Sequence, residues 1–263
     1  MTAGAFWLSS AFSTKLNTTD PAGRAVLTVR RVAGGMLSDP EWLTLEVKDL
    51  DRMTVFYEAF LELEVLDSTD AASVLSAGDT ELRLQAPGPV PRGGLHTHYA
   101  LTVPDREYDD WYDRLEERFD LVEHTFGDAR SLYFYDPAGN CVELGERREA
   151  PGGVSDLFEL VLEVEDLGSA VAFYERLGFD IVDDGREEGR VRLSTGAFDL
   201  ELWSPRLGIA DARGGVHVDF GVRAEDPSAV GREVADDALA VTSVDAGVRI
   251  RDPDGHYLTL VEG

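Results

Sequence analysis

Few residues in this chain can do chemistry. There is one thiol, Cys141, and there are five imidazoles: His96, His98, His124, His217 and His256. Cys141 stands two residues before Glu143, so on a strand the two share a face. No partner base is indicated for it, and the thiol reads as a small lining residue rather than a nucleophile. His124 falls at a surface position and His256 in a turn, where the matching turn carries Asn140. Tyr133 and Tyr135 lie in a strand, where phenols pack; either could also donate to a bound oxyanion. With His96 two residues upstream of His98 in a bend, that leaves His98 and His217, both in strand-like runs, beside a large surplus of carboxylates. Imidazole with carboxylate is a donor mix for a divalent cation, and equally for an ordinary buried polar pair.

What must position these groups is a repeat. Leu45-Glu46-Val47-Lys48-Asp49-Leu50 followed by Phe56-Tyr57-Glu58 returns as Leu162-Glu163-Val164-Glu165-Asp166-Leu167 followed by Phe173-Tyr174-Glu175. Asp136-Pro137-Ala138-Gly139-Asn140 before Val142-Glu143-Leu144 returns as Asp252-Pro253-Asp254-Gly255-His256 before Leu258-Thr259-Leu260. Self-similarity at a fixed period signals repeated structural units. Each unit reads as βαβββ. In the first, Trp42–Val47 alternates as a strand; Asp49–Phe60 is a helix that Asp51 can cap, with Met53, Phe56, Tyr57 and Phe60 on one face. In the second, His98–Val103 is a strand, Asp105–Arg118 a helix, and Arg130–Tyr135 and Cys141–Leu144 a hairpin around the Pro/Gly turn. The expected fold class is α+β, with four βαβββ modules paired into two curved-sheet domains. Residues 37–146 form the first pair, 147–155 a polar linker and 156–263 the second pair. One such sheet cannot cover both its faces alone, and the concave side of a shared sheet is the natural cavity.

Composition narrows the function classes. With 263 residues and 43% hydrophobic content, the chain can build a sizeable core. Its formal net charge of −27 argues against nucleic acid, whose phosphates would be repelled. Such a charge spread along the chain suits a solvated, halophilic surface. A single cysteine rules out an intrachain disulfide and suits a reducing cytoplasm. No apolar run is long enough for a membrane helix, so no membrane partner is expected. Residues 1–36 differ: Lys15, Arg24, Arg30 and Arg31 stand against Asp20 alone, a net +3. They read as a disordered leader, or as an over-extended start with initiation at Met36.

The duplicated Leu-Glu-Val-x-Asp-Leu and Phe-Tyr-Glu segments, Leu177-Gly178-Phe179 and the two Asp-Pro-x-Gly turns resemble the vicinal oxygen chelate superfamily. That group includes glyoxalase I, extradiol (catechol 2,3-) dioxygenases, fosfomycin-resistance proteins and bleomycin-binding proteins. The resemblance covers about residues 40–262. It implies metal sites drawing one ligand from the first strand and one from the last strand of each module. Carried onto this chain, the positions are Trp42 and Arg83, His98 and Glu143, Glu159 and Glu201, and His217 and Thr259. In the first pair His98 and Glu143 face Trp42 and Arg83; there Arg83 could bind Glu143 in place of a metal, and His96 is a spare ligand. The second pair would then join Glu159, Glu201 and His217, three carboxylate or imidazole groups that suit a cation, with Thr259 reaching through water.

The resemblance implies a divalent-metal-dependent enzyme with a small-molecule substrate, most like the extradiol dioxygenase branch, as a monomer or homodimer. Fe(II) or Mn(II) would serve a dioxygenase; Zn, Ni or Mg are open. A glyoxalase-like lyase or isomerase is the first alternative. The second is a non-enzymatic binding or resistance protein in which Trp42 and Arg83 hold the ligand.

Overall fold

The computed structural model describes residues 37–88, 94–205 and 216–263; the leader expected at 1–36 lies outside them. Module one comprises β1 (Leu37–Glu46), α1 (Leu50–Leu61), β2 (Glu64–Ser68), β3 (Ala72–Ala77) and β4 (Thr80–Gln85). Module two comprises β5 (Gly94–Pro104), α2 (Tyr108–Glu116), β6 (Val122–Phe126), β7 (Ala129–Tyr135) and β8 (Cys141–Arg147). Module three comprises β9 (Ser155–Glu163), α3 (Leu167–Leu177), β10 (Asp180–Gly185), β11 (Arg190–Ser194) and β12 (Asp199–Trp203). Module four comprises β13 (Val216–Ala224), α4 (Pro227–Val234), β14 (Ala240–Val244), β15 (Gly247–Arg251) and β16 (Tyr257–Glu262). The class is α+β, and every module is βαβββ as the repeat requires.

The capping residue of α1 is Asp49 rather than Asp51: its carboxylate accepts from Arg52 N. Asp166 does the same for Ser169 N at α3. Both are the Asp of the repeated Asp-Leu pair, which stops the first strand and satisfies an otherwise orphaned helical N–H.

The modules do not pair in sequence order. In each module the first strand lies parallel to the last, leaving one edge open for a partner. β5 takes β9, so modules two and three share an inner sheet. β1 takes β13, so modules one and four share an outer sheet. The expected pairs, 37–146 and 156–263, are thus replaced by an inside pair and an outside pair. The two sheets meet where β5 and β13 exchange a short antiparallel contact at Leu95–Val216 and Gly94–His217. Modules one and three share one set of repeat cues and modules two and four another, so the cues allow either pairing and the choice of partner rests on packing. A Cβ at Gly221 on β13 would come within 2.5 Å of the Trp42 ring of β1, and one at Gly145 on β8 within 2.7 Å of Phe158 of β9. Each glycine makes room for a ring from its partner module.

Polar bonds tie the two sheets. Tyr57 of α1 donates to Asp136 in the module-two turn at 2.6 Å and sits 2.6 Å from the Tyr99 hydroxyl. Tyr174 of α3 donates to Asp252 in the module-four turn at 2.8 Å. The repeated Phe-Tyr-Glu helices therefore clasp the repeated Asp-Pro turns, with Tyr57, Tyr99 and Tyr174 fully buried.

Candidate metal centre

Strand alternation places the chemistry on the concave face of each sheet. The register then shows which positions match. Thr44 pairs with Arg83, Ala100 with Glu143, Val161 with Glu201 and Gly221 with Thr259. Two residues before each of these first-strand partners stand Trp42, His98, Glu159 and Asp219. The first-strand position of module four is therefore Asp219, and the expectation of His217 is corrected by two residues. His217 instead is buried at the seam of the sheets, stacked on His256 at 5.2 Å between centroids and 5.6 Å from His96. Burial holds its pKa well below the ordinary imidazole value, with the charges of His256 and His96 adding to the effect. His96 lies in this seam as well, so it is not a spare ligand beside His98.

The inner sheet gathers His98, Glu143, Glu159 and Glu201, the four expected positions of modules two and three. His98 Nε2 is 3.2 Å from Glu143 Oε2 and 3.4 Å from Glu159 Oε1. One donor atom from each of these three residues lies within 4.8 Å of the other two. All four side chains are buried, each residue 3% exposed. Two arginines on β11 were missed by the sequence reading. Arg192 reaches Glu159 at 2.8 Å and Glu201 at 3.9 Å; Arg190 reaches Glu201 at 3.0 Å and Asp183 at 2.7 Å. The available signal was position, since Arg192 lies directly across from Glu201, as Tyr133 does from Glu143.

The electrostatics follow from burial and proximity. Desolvation opposes charge on His98, but its contacts with Glu143 and Glu159 outweigh this and raise its pKa to about 9. Burial pushes Glu143 upward, and His98 more than reverses it, leaving this carboxyl below its usual range. Glu201 is raised by burial and by the charge of Glu159, against the pull of Arg192 and Arg190. Tyr133 stands edge-on to His98 at 5.5 Å; burial and the charges of Glu143 and Glu159 keep its hydroxyl protonated. Tyr135 is exposed at the end of the same strand. Burial pushes the Cys141 thiol up to about 12, so it is no nucleophile.

A cation fits this donor set. His98 Nδ1, Glu143 Oε2 and Glu159 Oε2 are buried atoms lacking a hydrogen bond of good geometry. The ion-pair contacts of the two carboxylate oxygens, with His98 and Arg192, satisfy their charge but not their direction. Buried acceptors in that state are costly, and a divalent ion would use several at once.

Residues 40–144 match the family model for the glyoxalase/bleomycin resistance protein/dioxygenase superfamily. The glutathione transferase FosA of Serratia marcescens is 30% identical over 117 residues, which is 41% of this chain and 81% of that protein. This chain belongs to that superfamily. Two solved structures extend the likeness over both sheets. A candidate dioxygenase of Bacillus subtilis matches with a TM-score of 0.67 at 17% identity, over 87% of this chain and 86% of that one. Glyoxalase I of Zea mays matches with a TM-score of 0.64 at 19% identity, over 85% and 92%. At such identities they establish the fold.

Superfamily members of this kind use divalent metals, but only one of the two sheets here carries a suitable donor set among the described residues. In the outer sheet the corresponding positions hold Trp42, Arg83, Asp219 and Thr259. Trp42 Nε1 donates to Asp219 Oδ1 at 3.2 Å, and Arg249 and Thr259 both donate to Asp219 Oδ2 at 3.0 Å. The Arg83 guanidinium stacks on the Trp42 ring at 3.9 Å and pairs with Glu81 at 2.6 Å. The expected Arg83–Glu143 pair is absent because the two residues belong to different sheets. Arg249 supplies the outer sheet with the positive charge that a metal would bring.

Proposed function

We propose that this protein is a metal-dependent, non-oxidative enzyme acting on a small substrate with two adjacent oxygens. His98, Glu143 and Glu159 would hold the ion. The observation that carries this reading is the convergence of those three buried groups from β5, β8 and β9, one donor atom of each within 4.8 Å of the others. When bound, the ion supplies Lewis acidity toward the substrate oxygens. One imidazole with carboxylates suits Mn, Zn, Ni or Mg; iron-dependent oxygenases use two imidazoles and one carboxylate. The seam placement of His96 and His217 leaves no second imidazole for that arrangement, so the glyoxalase-like reading is favoured over extradiol cleavage.

The residues divide the remaining work. Glu201 lies beside the proposed ion-holding groups, and burial and the charge of Glu159 raise its pKa, which fits a general acid–base role. Tyr133, held protonated, serves as a hydrogen-bond donor to a developing oxyanion. Arg192 neutralises Glu159 in the resting site and is free to turn to an anionic substrate once a cation takes over that carboxylate.

The test is metal content together with turnover. Purified protein should carry about one equivalent of metal per chain, lost in His98→Ala. Conversion of the methylglyoxal–glutathione hemithioacetal, and thiol addition to fosfomycin, are the assays of choice. Glu201→Gln should keep the metal and lose about 100-fold or more in kcat. Absence of bound metal, or full activity in Glu201→Gln, overturns the reading.

A further inference from the structure

The outer sheet carries no metal donor set among the described residues, but it has a cavity. A cleft of about 210 Å³ lies on its concave face, lined by Thr44, Ala72, Val74, Arg83, Asp219 and Arg249 among others. Its size compares with a cavity of ~150 Å³ that accepts benzene.

Two of the lining groups are guanidiniums, and both are fixed. Arg83 lies flat on Trp42, and its Nε and Nη2 engage Glu81. Arg249 bonds Asp219 through Nη2 and Thr259 through Nε. In each, Nη1 has no protein partner among the described residues. Arginine that is already immobilised loses little entropy on meeting a ligand, and its planar fork matches a carboxylate. Glu81 and Asp219 balance the two arginines in charge. Glu81 is about a third exposed and therefore screened, and both guanidiniums are about a third exposed while lining the cleft. Thr44 adds a hydroxyl, and Ala72 and Val74 provide an apolar wall.

We propose that this cleft is a second, metal-free binding site for a small monocarboxylate with a compact apolar body. The carboxylate takes the open Nη1 donors of Arg83 and Arg249, and the apolar body lies against Ala72 and Val74. Nothing in this assignment depends on the inner site. Arg83 stands at a family ligand position, and Arg249 lies on the neighbouring strand directly across from another, Thr259.

The probe is benzoate, titrated into the full-length protein by calorimetry, with benzamide as the neutral control of the same shape. Benzoate should bind one-to-one with a Kd on the order of 1 mM or tighter, and benzamide at least about tenfold more weakly. Arg83→Met should lower benzoate affinity by about tenfold or more. Arg249→Met leaves Asp219 buried without its cation and can unfold the module, so Val74→Trp is the second variant: it fills the cleft without touching a charge and should abolish binding. His98→Ala, which strips the inner centre, should leave benzoate binding unchanged. Three results would each overturn the proposal: no saturable binding, equal affinity for benzamide, or binding that survives Val74→Trp. Loss of binding in His98→Ala would also overturn it, by moving the ligand to the inner site. Failure of the metal assay alone leaves this site standing.

Discussion

On the proposed reading, protons and a metal ion compete for His98, and the competition can be measured. In the metal-free protein the imidazole titrates at about 9 because Glu143 and Glu159 hold its proton. A metal needs the neutral ring, so at pH 7 each ion bound must expel that proton. Two pH units below the pKa, the proton occupies the ring about 99% of the time. Displacing it costs about 3 kcal/mol, at 1.36 kcal/mol per unit. Apparent metal affinity should therefore rise about tenfold per pH unit from pH 6 to 9, gain about 100-fold between pH 7 and 9, and then level off. Titrating Mn(II) or Zn(II) into metal-free protein in buffers of different ionisation enthalpy counts the protons released. The expected count is close to one at pH 7, falling toward zero above pH 9. A count near zero at pH 7, or an affinity flat from pH 6 to 9, would mean that His98 is neutral at rest and that the carboxylates do not grip it as the geometry indicates.

The same shift bears on stability. A folded pKa above the unfolded value of ~6.5 stabilises below pH 6.5, and that stabilisation is lost as pH rises through about 9. The Tm of metal-free protein should accordingly fall across that window, and His98→Gln should remove the fall. Gly221→Ala forces a methyl to within 2.5 Å of the Trp42 ring; it should cost about 1–3 kcal/mol by overpacking, read by urea denaturation, with Gly88→Ala, whose added methyl meets its nearest neighbour at an ordinary 3.6 Å, as the control. Tyr57→Phe removes the donor between α1 and the module-two turn and should cost about 1–3 kcal/mol; no change in denaturation midpoint would show that the clasp is dispensable.

Much of this architecture was legible in the residues. The Asp-Leu stops, Phe-Tyr-Glu helices and Asp-Pro turns fix four βαβββ units, and His98, Glu143, Glu159 and Glu201 could be placed by family position. Two things could not be read. The choice of module partners depends on how rings fill specific gaps, as Trp42 does over Gly221 and Phe158 over Gly145, and cues shared by modules one and three, and by two and four, are silent on it. The two-residue error at His217 has a different origin. Strand side chains alternate with period two, so a slip of one residue turns a residue to the wrong face and shows in the hydrophobic pattern. A slip of two keeps every residue on its face, and only the β13–β16 register separates His217 from Asp219. Arg190 and Arg192 escaped notice because third-strand positions were not compared across the modules.

The inside–outside pairing also sets the order in which the protein can be completed. As the chain emerges from the ribosome, modules two and three are neighbours, so the inner sheet and all four of its chemical side chains can close early. Module one emerges before them, yet the open edge of β1 finds β13 only after more than a hundred further residues have been made. An unpaired strand edge invites association with other chains. The long delay makes that early edge, rather than the inner sheet, the point at which slow synthesis or truncation would divert the protein into aggregates.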